Sequence, residues 1–213
     1  MDKEVEEICN NSMLRILDLR PNTNDLRKTL TVYIADDVRD KLSYLNSPYK
    51  FQISTYTLGP SIKWWIIHKT CGNPNNDFTQ KITYDSEDWT AYTFVFSHQN
   101  SQKFSTDLSI KSHSEIIKLY IKSLFEKYLH GRNEYDHKIA EFYISNVLED
   151  LYNFCKKELP LFYFSVEVII LEKGCGYCST SRSVNCEESD GIIYELFENE
   201  GYECLAYVKA IAA

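Results

Sequence analysis

Glycine and proline are scarce in this chain, seven and five among 213 residues. Turns built on them must be few, and the elements between those turns correspondingly long. The glycine-rich phosphate loops G-x-G-x-x-G and G-x-x-x-x-G-K-[ST] are absent. So is the G-x-S-x-G nucleophile elbow. The five histidines, His68, His98, His113, His130 and His137, include no H-E-x-x-H pair and no second ligand at helical or hairpin spacing. These absences argue against an enzyme and give no reason to expect a cofactor or metal. Long apolar runs are missing as well: Leu161 to Leu171 is interrupted by Ser165 and Glu167 and falls short of the roughly 20 residues of a membrane span. Basic residues are outnumbered, 23 Lys and Arg against 31 Asp and Glu, for a formal charge of −8. Nucleic acid is excluded as a partner on that ground, because neutralising phosphates needs a concentrated basic face. The N-terminal Met-Asp-Lys-Glu-Val-Glu-Glu has neither the basic nor the apolar segment of an export signal. The seven cysteines are therefore expected as reduced thiols in a cytosol.

What the chain does have is periodicity. Ser112-His-Ser-Glu115 offers a capping box, with Ser112 as the N-cap. It is followed by Ile116, Ile117, Tyr120, Ile121, Leu124, Phe125 and Tyr128 at helical spacing as far as His130-Gly131. A second helix is predicted from Glu134 to about Glu158, on Ile139, Phe142, Tyr143, Val147, Leu151, Phe154 and Cys155, and Pro160 stops it. The period then changes to that of strands over Phe162–Leu171, Cys178–Cys186, Ile192–Phe197 and Tyr202–Ile211. The first half repeats this order. Helices are predicted over Glu4–Leu17 and Thr23–Leu45, then strands over Tyr49–Leu58, Ile62–Thr70, Phe78–Tyr84 and Trp89–Phe96. Equivalent positions differ by a nearly constant amount: 160 − 48 = 112 for the prolines, 151 − 38 = 113 for Leu151 and Val38, 202 − 89 = 113 for Tyr202 and Trp89. The expectation is an internal duplication, with residues 1–100 and 101–213 as two copies of a two-helix, four-stranded antiparallel α+β module and His98–Lys111 as the linker.

The second copy resembles a Tctex-type dynein light chain. The likeness is carried by Pro160-Leu161-Phe162-Tyr163 entering the first strand, the turn Gly174-Cys175-Gly176, the Ser/Thr-rich second strand, the acidic turn ending Asp190-Gly191, and the final strand Cys204-Leu205-Ala206-Tyr207-Val208. It covers residues 112–213, and residues 1–100 share only the layout. The resemblance implies two helices over an antiparallel sheet and no catalysis. It also implies pairing through an exchanged strand, a dynein intermediate chain held at a sheet edge, and other dynein light chains as fellow subunits. Location on the microtubule cytoskeleton follows, with cytoplasmic or axonemal (ciliary) dynein left open. Two copies in one chain allow an internal pseudo-dimer, or a homodimer between chains; a solution mass equal to one chain or to two would tell them apart.

Charge separates the halves. Residues 1–100 hold 11 basic and 13 acidic residues, 101–213 hold 12 and 18, and the acids of the second half gather after Arg182. That asymmetry marks Ile192, Ile193, Tyr194, Glu195, Leu196 and Phe197 as the candidate edge for a basic, extended peptide. Adjacent strand residues point to opposite faces, so of Trp64 and Trp65 only one is expected in ordinary core. The other is assigned to the pairing of the two copies, together with Ser179, Ser181, Arg182 and Ser183. A rival reading is a small zinc-binding protein using Cys175, Cys178, Cys186 and Cys204, or an adaptor unconnected with dynein. Zinc is disfavoured because Cys178 and Cys186, if on one strand, would lie about 26 Å apart at roughly 3.3 Å per residue, far beyond a shared ion.

Overall fold

The computed structural model describes residues 2–17, 24–45, 49–59, 63–72, 77–85, 89–99, 109–173, 178–186 and 190–212. The first half supplies α1 (Asp2–Leu17), α2 (Asn24–Ser43), β1 (Tyr49–Leu58), β2 (Trp64–Cys71), β3 (Asp77–Asp85) and β4 (Thr90–Gln99). After a single 3-10 turn, Ile110–His113, come α3 (Ser114–Leu129), α4 (His137–Glu158), β5 (Phe162–Glu172), β6 (Cys178–Val184), β7 (Gly191–Glu198) and β8 (Tyr202–Ala212). The chain is α+β, and its described strand pairings are antiparallel.

The helices follow their apolar stripes. Ala140, Ile144, Val147, Leu148, Leu151 and Cys155 are the buried line of α4, and burial pushes the Cys155 thiol up to about 12. The Asp136 carboxylate caps this helix by accepting the Lys138 amide, and Lys156 and Lys157 stand in its last turn, where the helix dipole favours cations. The capping box at Ser112 is not formed. Ser109 caps the preceding 3-10 turn, accepting the Lys111 amide, while His113 stands at the N-cap of α3 with no side-chain cap bond, and the Ser112 hydroxyl donates to the Ser109 carbonyl at 2.7 Å. The 3-10 turn places Ser112 inside helical backbone, where a serine hydroxyl bonds back along the helix.

Two compact units result, and each is discontinuous in sequence. The first contains Met1–Ser61, Pro74–Ser101 and Cys175–Cys186; the second contains Ile62–Asn73, Gln102–Gly174 and Glu187–Ala213. The sheet orders are β3-β4-β1-β6 and β2-β5-β8-β7. Each half of the chain thus hands its second strand to the other's sheet. The registers of the two sheets agree at an offset of 113. Phe51 lies opposite Val184 and Ser97, and Phe164 (51 + 113) lies opposite Cys71 (184 − 113) and Ala210 (97 + 113).

In the first unit Val5, Cys9 and Met13 of α1 and Leu30, Ile34, Val38 and Leu42 of α2 pack on Phe51, Ile53, Ala91, Val95 and, from β6, Val184. In the second, α3 and α4 pack on Phe164, Val166, Val168, Ile170, Cys204, Ala206 and Val208, with Trp65, Ile67 and Cys71 of β2 against the same cluster. Gly201 sits at the β7–β8 turn, where a Cβ would meet the Asn133 carbonyl oxygen at 2.2 Å. The turn is fixed by Asn199, whose side chain accepts the Gly201 and Tyr202 amides and donates to the Arg132 carbonyl.

On β1, β4, β5 and β8 the residues facing away from these helices are buried too. In the second unit that face carries an ion pair, Lys209 Nζ donating to Glu167 Oε1, with both side chains essentially inaccessible. Burial pulls the Lys209 ammonium below its ordinary pKa, against the opposing pull of Glu167. The neighbouring Ser165 hydroxyl is buried and finds no hydrogen-bond partner among the described residues. A buried pair of this kind owes its cost of removal to the charge left behind. Lys209→Met alone is expected to destabilise the protein by about 3 kcal/mol or more, and Lys209→Met with Glu167→Leu by much less. Urea denaturation of the single and double variants measures both.

Candidate functional site: a free sheet edge and two exchanged strands

Among the described strands, β7 is an edge, bonded to β8 on one side only, so one row of its backbone groups is open to an added strand. Its alternation is set by what lies under each face. Ile193 is buried, Glu195 is 3.6 Å from Lys122 of α3, and Phe197 rests against Phe125 and Tyr202. On the other face Ile192 is half-buried, while Tyr194 and Leu196 are 59% and 47% exposed. The Tyr194 ring lies 5.7 Å from that of Tyr207, its partner in register. The strand is anchored at both ends. Asp190, just before it, accepts the Ala212 amide at 2.8 Å, and Glu198, its last residue, pairs with Lys173 at 2.6 Å. The six residues singled out from the sequence thus form one continuous edge with a helix-facing side and an exposed aromatic-aliphatic side.

The remaining candidates fall on the two exchanged strands. Trp64 and Trp65 of β2 are both half-buried. Trp65 faces the helices, donating its indole N–H to the His137 carbonyl at 2.9 Å and stacking on the His137 ring at 5.0 Å. Trp64 points to the opposite face, across from Leu171. On β6, Ser181 bonds the Ser54 hydroxyl at 3.1 Å, while Ser179 and Ser183 are exposed or nearly so. Arg182 turns toward α2, giving Nε to Asp36 at 2.6 Å and a second nitrogen to the Thr180 hydroxyl. The strand ends at Val184, short of Cys186, because Asn185 takes a positive φ of 55°.

Sequence reasoning left three residues of these contacts unnamed: Asp36, Lys69 and Glu149. Lys69 of β2 is the counterpart of Arg182 at the same offset (182 − 113 = 69); it bonds Glu149 of α4 at 2.6 Å and lies 4.3 Å over the Tyr152 ring. Asp36 and Glu149 stand in the same relation (149 − 36 = 113), so each exchanged strand reaches the second helix of its host unit with a cation at one equivalent position. The shared offset of charge types was the available signal. Of the four cysteines weighed as metal ligands, Cys175 lies outside the described residues, Cys178 is in the first unit's sheet, and Cys204 is in the second unit's core. Burial raises the thiol pKa of both Cys178 and Cys204.

Residues 111–211 match the model of the Tctex-1 family. The match spans one complete run from the 3-10 turn to β8 and supports a Tctex-type domain there. No curated protein matches the chain.

The hydrogen bond and charge of Arg182 hold the Asp36 carboxyl below its ordinary pKa, against a smaller desolvation effect. A depressed folded-state pKa gives stability that is present above the unfolded value of about 3.9 and disappears as pH falls through the folded one. Asp36→Asn is therefore expected to cost about 1 kcal/mol near pH 7. The gap to wild type should close as the pH is lowered below about 4, which urea denaturation over that range will record.

Proposed function

We propose that this protein is a non-catalytic light-chain subunit of a dynein motor, built from two Tctex-type modules, residues 1–100 and 101–213, paired within one chain. The observation that carries the reading is the reciprocal placement of β2 and β6 at equal registers. Two sheets whose pairings repeat at one constant offset are what a duplicated module gives when each copy completes the other, and the family match falls on one of the copies. Dynein light chains of this family have no catalytic role.

Under this reading the chain holds an extended segment of a dynein intermediate chain, and cargo in the same manner, by strand addition. The β7 edge is the favoured place. Main-chain hydrogen bonds supply affinity there, and Ile192, Tyr194 and Leu196 supply alternate side-chain contacts. Acids at Glu198, Glu200 and Glu203 favour a segment carrying Lys or Arg, acting more on the rate of encounter than on tightness. Residence on the microtubule cytoskeleton, in cytoplasm or cilium, and the company of other dynein light chains follow from the same role.

Affinity capture with the tagged full-length chain is expected to recover a dynein intermediate chain. Recovery of a stable complex lacking any dynein subunit would overturn the assignment and favour an adaptor outside the motor. Calorimetric titration with intermediate-chain peptides locates the edge. Tyr194→Ala with Leu196→Ala should weaken binding at least tenfold, while unfolding stability changes by less than about 1 kcal/mol, since both side chains are exposed.

A further inference from the structure

The two edges that receive the exchanged strands are lined differently. Beneath β6 in the first unit lie four hydroxyls: Thr55 and Thr57 of β1, Thr93 of β4 and Thr31 of α2, all buried, with Thr31 bonded to Thr57 and Thr55 within 3.4 Å of Thr93. Their equivalents beneath β2 in the second unit, at the same offset of 113, are Ile144 (31 + 113), Val168 (55 + 113), Ile170 (57 + 113) and Ala206 (93 + 113), all buried and all apolar. The incoming strands match these linings. Cys178 lies across from Thr57, to whose hydroxyl its thiol bonds, and Thr180 lies across from Thr55. Trp65 lies across from Ile170, and Ile67 across from Val168.

The other end of each strand does not discriminate. Lys69 and Arg182 are both cations, and Asp36 and Glu149 are both acids, so either strand satisfies either helix. Selection therefore rests on the two positions ahead of the charge. In its own half, β2 would lay Trp65 and Ile67 over the hydroxyl cluster, displacing bonds made by Thr57 and Cys178. In its own half, β6 would carry Thr180, its hydroxyl still bonded by Arg182, to the place of Ile67 across from Val168, and Cys178 to the place of Trp65 across from Ile170, leaving unfilled the apolar space those two larger side chains occupy.

We propose that Trp65 and Ile67 on one strand, and Cys178 and Thr180 on the other, are the specificity-determining residues that direct each strand into the opposite half of the same chain. The apolar edge of the second unit accepts a strand of pattern large apolar, any residue, apolar, any residue, cation. The hydroxyl-lined edge of the first accepts small polar residues at the same places. A single chain thereby completes both sheets, and pairing of like halves from two chains is disfavoured.

The test is a disulfide reporter in the full-length chain. Thr70 and Ser165 are partners in register on β2 and β5, at a Cα spacing that antiparallel pairs and disulfides share. Thr70→Cys with Ser165→Cys is expected to link under mild oxidation within one chain, giving a species of one chain's mass with the 70–165 peptide pair identified by mass spectrometry. Adding Trp65→Cys, Ile67→Thr, Cys178→Trp and Thr180→Ile together should cut the yield of that link at least tenfold. Exchanging only the cations, Lys69→Arg with Arg182→Lys, should leave it unchanged. An undiminished link in the fourfold variant overturns the proposal, and so does its loss in the cation exchange or a link joining two chains.

Should the fourfold variant not fold, Thr180→Ile decides alone. It is expected to lower Tm by about 3–6 °C in the wild-type background and by less than half of that when Thr55→Val is present. An equal shift in both backgrounds overturns the proposal.

Discussion

The structure depends on the open edges of β1 and β5. Each lies under its unit's second helix, and each would expose a row of unpaired amides and carbonyls beside an apolar core. In this chain the missing neighbour comes from the other half. Val184 reaches the first core from β6, and Trp65, Ile67 and Cys71 reach the second from β2. Cores, sheet edges and charge pairs are thus closed by the same two short strands, and damage to either strand is felt in the half that does not encode it.

Charge and apolar contact divide the work along these strands. The ion pairs Arg182–Asp36 and Lys69–Glu149 are partly exposed, so their worth lies more in fixing register than in stability. A slip of one residue would turn both cations to the opposite face. Burial supplies the larger energy, and it is asymmetric, since the second unit gains a tryptophan and an isoleucine where the first gains a cysteine and a threonine. The buried Glu167–Lys209 pair adds another asymmetry. Its equivalents in the first half, Ser54 (167 − 113) and Phe96 (209 − 113), carry no charge.

Much of this was legible in the residues. The four α-helices and eight strands among the described residues follow from apolar spacing of 3.6 or 2 and from Pro48, Pro160 and the acidic turns, and the constant offset is visible in Val38 and Leu151 before any coordinates. Edges were less so. The Ser112 cap is not formed because a 3-10 turn, itself capped by Ser109, precedes the helix, and such a turn leaves no separate mark on the pattern. Placing the tryptophans needed the identity of the host sheet, which a strand's own sequence does not state. Trp65 meets His137, 72 positions away, and Arg182 meets Asp36, 146 positions away; no local window spans such distances. The six β7 residues could be read as a strand, yet their standing at the sheet's border is a property of topology.

The exchange also governs the order in which the protein takes shape as it is made. The first unit holds its two helices and three of its strands by Gln99, and its fourth strand begins only at Cys178 (178 − 99 = 79 positions later). At roughly 5–20 residues per second the β1 edge waits on the order of 4–16 s for its neighbour, while β2 waits in turn for β5. During that interval the growing chain carries one unfinished sheet and, until β5 begins at Phe162, a β2 with no partner strand of its own. The nascent protein, more than the finished one, is the form with open strand edges.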